Sequence, residues 1–365
     1  MTKLNELYDQ CHQSPWLDNI KRSWLQDGTL KGLVDSGVRG ITSNPTIFTN
    51  AIESSDLYDS QTFELHHKGL TVEDIYWELV KTDINAALDV LNPLYLESGG
   101  NDGFVSIEVS PTLAYDTTKT LEMAKQLHND IDKPNLLVKI PATQQGLSAI
   151  EEMIYLGNSV NVTLIFSLER YQQVINAYLN GLERRLQSGV SDLSSVNCVA
   201  SFFISRLDTL IDKKLDEIGS LEAIELKGKA AVSQAKVAYR LFKDSFEAER
   251  FDKLATNGAK LQRPLWASTS TKNPNYDDLL YVNNLIGEHT VNTMPDATIT
   301  AFLENGTVDK TIETDLDVAT STLKALGDVG ISLDEVTQQL EDEGVKSFEK
   351  SFVDLLEVLK NKIND

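Results

Sequence analysis

The chain has 365 residues, 41% of them hydrophobic and 24% charged, a composition that fits one large α/β barrel or two average domains. Its 33 Lys and Arg stand against 55 Asp and Glu, a formal charge of −22, which argues against nucleic-acid or anionic-membrane binding. Two cysteines, Cys11 and Cys198, without metal-ligand spacing argue against a disulfide framework or zinc site and for a reducing cytoplasm, and no apolar run approaches the ~18 residues of a membrane span.

The N-terminal stretch MTKLNELYDQCHQSPW reads as a short amphipathic helix rather than a signal peptide. Short apolar or β-branched runs then alternate with longer helical patterns. Strands are expected at 16–18, 40–43, 104–108, 136–140, 161–166, 199–204, 264–267 and 290–292, the number a (β/α)8 TIM barrel requires. Between them, Thr71-Val-Glu-Asp74 predicts a helix start, followed by Ile75, Leu79, Ile84 and Leu88 at helical spacing. Helices are also expected over 111–130 and over 230–246, the latter within a helical insertion at about 212–262. The basic positions Lys229, Lys236, Arg240 and Lys243 read as a solvated helix face, and His66 and His67 as surface loop residues. C-terminal helices are expected at about 314–363, with Ser332 opening one, Gly344 stopping it, and a final helix carrying Phe348, Phe352, Leu355 and Leu359. The glycine fingerprint of a doubly wound dinucleotide fold is absent, and no linker divides the chain. One decorated barrel domain over 1–365 is the reading.

In such a barrel the reactive groups stand at the C-terminal strand ends. The first strand ends at Asp18, the second at Asn44, the third at Glu108. The fourth delivers Lys139, the fifth Asn161 and Thr163, the sixth Ser205 and Arg206, and the seventh Ser268 with Lys272 beyond it. Lys139 is the anomaly, an ammonium inside the apolar run LLVKI. A lysine in an apolar pocket more readily supplies a neutral amine to attack a ketone, and the iminium it forms stabilises the carbanion left by C–C cleavage. Asp18 and Glu108 are the carboxyl groups available to move protons. Structural roles compete at each position: Asp18 suits a helix cap, Asn44 the turn before Pro45, and Glu108 an ion pair with Lys139. The acidic surface also requires any anion site to be locally basic.

These residues carry a resemblance to transaldolases. GITSNPTIF at 40–48 resembles the first signature of that family and LLVKIPATQQGLSAIEEM at 136–153 its active-site lysine signature; SPWLDNI, VSIEVSPTLAYD, NVTLIFS, ASFFISRLDT, LWASTSTKNP and HTVNTMPDAT follow family blocks in order. The resemblance implies a class I aldolase barrel that transfers a dihydroxyacetone unit from sedoheptulose 7-phosphate to glyceraldehyde 3-phosphate without a metal or organic cofactor. It implies Lys139 as the Schiff-base amine, Asp18 as the acid/base at the substrate C4 hydroxyl, and Glu108 with Thr163 as the holders of a proton-shuttling water. Asn44 and Asn161 match the amides that hold the three-carbon unit, and Ser205, Arg206, Ser268 and Lys272 fall where the family binds phosphate. A fructose-6-phosphate aldolase without transfer, or a catalytically silent barrel, are the alternatives. Monomers and homodimers are both expected of such a chain.

Overall fold

The computed structural model describes residues 1–364. Eight parallel strands close into a barrel in chain order: β1 (Gln13–Leu17), β2 (Gly40–Ile41), β3 (Phe104–Glu108), β4 (Leu136–Pro141), β5 (Val160–Ile165), β6 (Cys198–Phe203), β7 (Gln262–Ala267) and β8 (Thr290–Met294). β8 pairs with β1 over five residues and completes the ring. Every strand sits at or within about three residues of its expected place. The first strand begins earlier than read because Pro15 lies inside it, its carbonyl accepting from Arg39 N at 2.8 Å.

Register decides which side chains face the interior, because directly paired residues on adjacent parallel strands point to the same face. Glu108 pairs with Lys139, and Lys139 with Asn161, so three polar residues stand level on three neighbouring strands. Below them the barrel is filled by Trp16, whose ring centroid lies 6.2 Å from that of Phe104. Gly40 on β2 makes room for this indole: a Cβ there would fall 2.4 Å from the ring. Above, β5 carries a bulge between Val162 and Ile165, with Leu164 held at φ 59°, a left-handed conformation that costs a leucine about 1–3 kcal/mol. The bulge follows directly on Thr163.

The helices follow local signals with five departures. Thr71 and Asp74 form the expected reciprocal cap on Val72–Glu97. The helix expected over 111–130 is divided into a 3-10 turn at Pro111–Leu113 and a helix at Thr117–Ile131, because the Asp116 side chain caps Lys119 N and starts a new helix. Gly344 does not end a helix: Leu333–Asn364 is continuous, and Gly344 instead lets it approach the bulge, a Cβ there standing 3.1 Å from Leu164 Cδ2. Lys236 is not solvated; it is buried, its ammonium donating to the carbonyls of Thr311 (3.0 Å) and Thr314 (2.7 Å). His66 and His67 are exposed, but in the last turn of helix Asp59–His67 rather than in a loop. Helix Ser205–Ile218 runs unbroken through Asp212, so the expected start of the helical insertion falls inside a helix. Among the described residues no helix is long and apolar enough to cross a membrane.

The Trp16–Gly40 contact gives a direct test of the core. Gly40→Ala forces a methyl into the indole, and overpacking of this kind costs about 1–3 kcal/mol. Equilibrium urea unfolding should show a lowered midpoint at unchanged slope, while alanine at solvent-open Gly32, inside helix Thr29–Asp35, should instead raise stability by about 0.5–1 kcal/mol.

Candidate active site

Lys139 is 4% exposed, and its Nζ projects into the barrel above Trp16. Nζ donates to the Ser43 carbonyl at 3.2 Å and stands 3.2 Å from Glu108 Oε2. The Glu108 approach is an ionic contact rather than a directed hydrogen bond, so Oε2 remains without a hydrogen-bond partner in the protein. Thr163 Oγ1, two residues up β5 from Asn161, is buried in the same condition. Glu108 Oε2 is met only by the Lys139 ammonium and Thr163 Oγ1 by no protein group, so both keep capacity to bond a small polar molecule.

Beneath the lysine runs a chain of hydrogen bonds across the interior. Ser201 Oγ donates to Asn161 Oδ1 at 2.7 Å, and Asn161 Nδ2 donates to Ser106 Oγ at 3.0 Å. This spends the Asn161 carbonyl and one of its two N–H groups, leaving a single N–H for anything bound above.

Asp18 follows β1 and keeps part of its surface open to the cleft. It does not cap a helix, because the next one starts at Arg22; Thr42 Oγ1 donates to its Oδ1 at 2.7 Å, and Thr293 Oγ1 lies 2.6 Å from the Thr42 hydroxyl. Burial pushes the Asp18 carboxyl above the ordinary carboxylate range, against the opposing pull of the Lys139 ammonium and the Thr42 hydrogen bond. Burial raises Glu108 too, again opposed by Lys139 and reinforced by the Asp18 charge. Both carboxyls are therefore held closer to neutrality than in water, as groups that exchange protons near pH 7 need to be.

Asp18, Lys139 and Thr163 open onto one cavity of about 120 Å³, shared with Asn44, Ser201 and Arg206. Glu108 and Asn161 stand behind its wall. Asn44 caps helix Pro45–Glu53, its Oδ1 accepting from Ile47 N at 3.0 Å, which leaves its amide N–H groups for the cavity. Phe348, from the terminal helix Leu333–Asn364, roofs the space with its ring centroid 5.6 Å from Lys139 Nζ.

Two cations approach the cavity from one side. Arg206 begins the helix after β6, its Cζ 5.6 Å from the Phe203 centroid and 5.9 Å from that of Phe348. It has no hydrogen bond or ion pair among the described residues, and burial lowers its pKa. Lys272 is exposed and donates to Ser270 Oγ at 2.6 Å. Its loop is fastened to the Arg206 helix by Tyr276, whose hydroxyl donates to Asp212 Oδ2 at 2.6 Å. Ser268 lies on the cavity wall in the left-handed region at φ 57°. Ser205 does not line the cavity: it is buried with its Oγ 2.9 Å from Ser268 Oγ, tying the ends of β6 and β7. The serine of β6 that faces the cavity is Ser201. Alternation along β6 places it two residues before inward-facing Phe203, a signal that inspection of strand ends alone overlooks. Thr42 and Phe348 were also missed; Phe348 comes from a helix more than two hundred residues away from Lys139 in sequence, and no local pattern marks it. Among the described residues no three His, Cys, Asp or Glu side chains cluster where they could hold a metal.

Residues 15–359 match the family model described as transaldolase/fructose-6-phosphate aldolase. The chain belongs to that family. It is 47% identical over 347 residues to a transaldolase of Mycobacterium tuberculosis, covering 94% of this chain and 93% of the relative. It is likewise 47% identical to transaldolase 1 of Streptomyces avermitilis over 96% of this chain and 93% of the relative. A transaldolase of Thiobacillus denitrificans is 47% identical over 94% of this chain and 96% of its own length.

The raised Asp18 carboxyl separates stability from activity. Because its folded pKa lies above its unfolded value, ionising Asp18 costs stability, and the cost is absent below the unfolded value and complete above the folded one. Asp18→Asn should therefore unfold at a higher temperature than the wild type at pH 8, with the difference closing as pH falls towards 4. Thermal unfolding across that range tests this, and an N-variant less stable at pH 8 would contradict the raised pKa.

Proposed function

We propose that the protein is a transaldolase, transferring a dihydroxyacetone unit between phosphorylated sugars, from sedoheptulose 7-phosphate to glyceraldehyde 3-phosphate. The observation that carries this reading is the buried Lys139 amine, in contact with Glu108 and sharing one cavity with Asp18. The family membership and the transaldolase names of the relatives support it.

Lys139 Nζ attacks the ketose C2 carbonyl, and loss of water from the carbinolamine gives the iminium. Glu108 and Thr163, each with an unsatisfied oxygen beside the amine, are suited to hold the water that carries protons on and off that intermediate. Asp18 takes the proton from the C4 hydroxyl as the C3–C4 bond breaks; the electron pair moves into the iminium, giving an enamine, and the aldose leaves. The acceptor aldehyde then meets the enamine carbon, Asp18 returns its proton to the new hydroxyl, and hydrolysis frees Lys139. Asn44 and the remaining Asn161 N–H suit the hydroxyls of the three-carbon unit. Arg206 suits the phosphate: it is desolvated and lacks an anionic partner, and a guanidinium offers two parallel donors to phosphate oxygens. Lys272 adds a point charge at the rim, and Ser268 and Ser201 line the way between.

Borohydride trapping tests the amine. Incubation with fructose 6-phosphate and borohydride should add a three-carbon unit to the peptide bearing Lys139, and Lys139→Ala should abolish the adduct. Asp18→Asn should instead trap the intact six-carbon sugar, because the imine forms while cleavage slows by about 10²–10⁴ in kcat. An adduct on another lysine, or none with sugar bound, would refute the assignment. Transfer to glyceraldehyde 3-phosphate that outpaces release of free dihydroxyacetone distinguishes transaldolase from simple aldolase activity.

The anion site is tested separately. A hydrogen bond to a charged group is worth about 1.5–3 kcal/mol, so Arg206→Ala should raise KM for the phosphorylated ketose about ten- to hundredfold. Trapping of unphosphorylated dihydroxyacetone on Lys139 should change little. Equal KM in wild type and variant would remove Arg206 from the phosphate site.

A further inference from the structure

At the opposite end of the barrel, below Trp16, lies a second cavity of about 420 Å³ between the C-terminus of helix Lys3–Cys11 and the starts of β3, β6 and β7. Its charged lining is unlike the rest of this acidic chain: Lys260, Arg263, His12 and His289 face it, against the single carboxylate of Asp102. We propose that this cavity is a binding site for a small phosphate-bearing metabolite, separate from the catalytic cleft.

Asp102 cannot supply the missing negative charge. It is buried, its Oδ1 accepting from Ser14 Oγ (2.7 Å) and from Arg263 Nη1 (3.2 Å), its Oδ2 from Arg39 Nε (2.8 Å). One carboxylate thus already serves two guanidinium groups. Glu288, the other anion near the imidazoles, is paired with Lys310. Lys260 is left with only the Gly100 carbonyl, at 2.5 Å, and has no ion pair among the described residues. Its neighbour Arg263 carries the same sign, so the two cations repel across a half-buried space where repulsion is weakly screened. Burial holds the His289 imidazole below its ordinary pKa, opposed by the Glu288 carboxylate and helped to a lesser degree by Arg263 and His12.

The histidines add to the case. His12 and His289 both adopt left-handed backbone, φ 55° and 59°, and are joined by a hydrogen bond from His289 N to the His12 carbonyl at 3.1 Å. Each of these conformations costs a residue with a Cβ about 1–2 kcal/mol. The result is two imidazoles beside a lysine and an arginine at one mouth, the donor set that suits a phosphoryl group. A volume of about 420 Å³ admits the phosphate with a small organic body.

Histidine-selective NMR of the full chain reads this site locally, independent of phosphate in the catalytic cleft. The chain has five histidines, so the His12 and His289 signals can be assigned from the glutamine variants of each. Inorganic phosphate and glycerol 3-phosphate are titrated at constant pH and ionic strength, with chloride as the control. The expected result is a saturable shift of His12 and His289 together, absent with chloride, while His66, His67 and His128 stay in place. Saturation by both ligands means that the phosphoryl group alone is recognised; saturation by glycerol 3-phosphate alone assigns a phosphomonoester. Lys260→Gln, which removes a cation that holds no carboxylate, should weaken binding about tenfold, the loss of one charge-assisted contact. Absence of a saturable shift, an equal response to chloride, or undiminished binding by folded Lys260→Gln would overturn the proposal.

Discussion

An ammonium group in a protein interior has to be compensated, and in this chain the compensation is written into strand register. Glu108 and Lys139 are direct partners on β3 and β4, so the carboxylate and the amine point to the same face and meet at 3.2 Å. A slip of one residue between these strands would turn Lys139 out of the barrel and leave Glu108 buried alone. Such a pair is a poor source of stability, since well-packed apolar residues often serve as well or better and a lone buried charge is worse than either. What it provides is an amine fixed in place, shielded from bulk solvent, and flanked by carboxyls whose proton affinity has been raised. The interior below is arranged around that amine: Trp16 fills the lower barrel, Gly40 clears its path, and the Ser106–Asn161–Ser201 chain satisfies the polar layer between. The β5 bulge follows at once on Thr163, so the ladder is broken where a side chain is aimed at the site.

Much of this architecture could be read from residue order. Strand runs such as LLVKI and NVTLI, spaced by amphipathic helices, fix the barrel through periodicity and length, and polar residues at strand ends follow from that topology. What escaped belongs to interactions between distant segments. Lys236 looks like any basic residue on an exposed helix face; only the carbonyls of Thr311 and Thr314, brought over it by a later segment, make it a buried donor. Gly344 reads as a helix stop because isolated glycine usually is one, whereas here its missing side chain admits Leu164. Pro111 was read as the first residue of a helix, but Asp116 offers a stronger cap five residues later. Ser205 reads as a site residue because it ends the sixth strand beside Arg206, yet alternation along β6 turns Ser201 inwards and the helix start turns Ser205 towards Ser268.

The charge distribution makes sense at the same level. A chain of formal charge −22 repels phosphorylated sugars at long range, and screening over about 8 Å at physiological salt leaves recognition to groups close at hand. On the proposed function Arg206 and Lys272 are such groups, and they come from different elements. The Tyr276–Asp212 hydrogen bond makes them one unit, because it ties the loop bearing Lys272 to the helix that Arg206 begins. Gly228 accommodates this tie: a Cβ there would stand 2.8 Å from the Tyr276 ring. Among the described residues no carboxylate stands within ion-pair distance of the Arg206 guanidinium, although the Glu343 charge acts on it from farther off, so the packing around it does much of the placing.

The terminal helix completes the site from outside the barrel. Arg170, on the helix after β5, engages both oxygens of Glu341 at 3.1 and 3.3 Å, fixing that helix in rotation and along its axis. Gly344, one turn on, seats it against the bulge beside Thr163. Phe348, a further turn along, then falls over Lys139 and Arg206 together. Residues three or four apart share a helix face, and these three, from 341 through 344 to 348, lie on the face turned to the barrel. The aromatic roof is therefore set by two contacts far from the amine: an ion pair that fixes the angle and a missing side chain that fixes the depth.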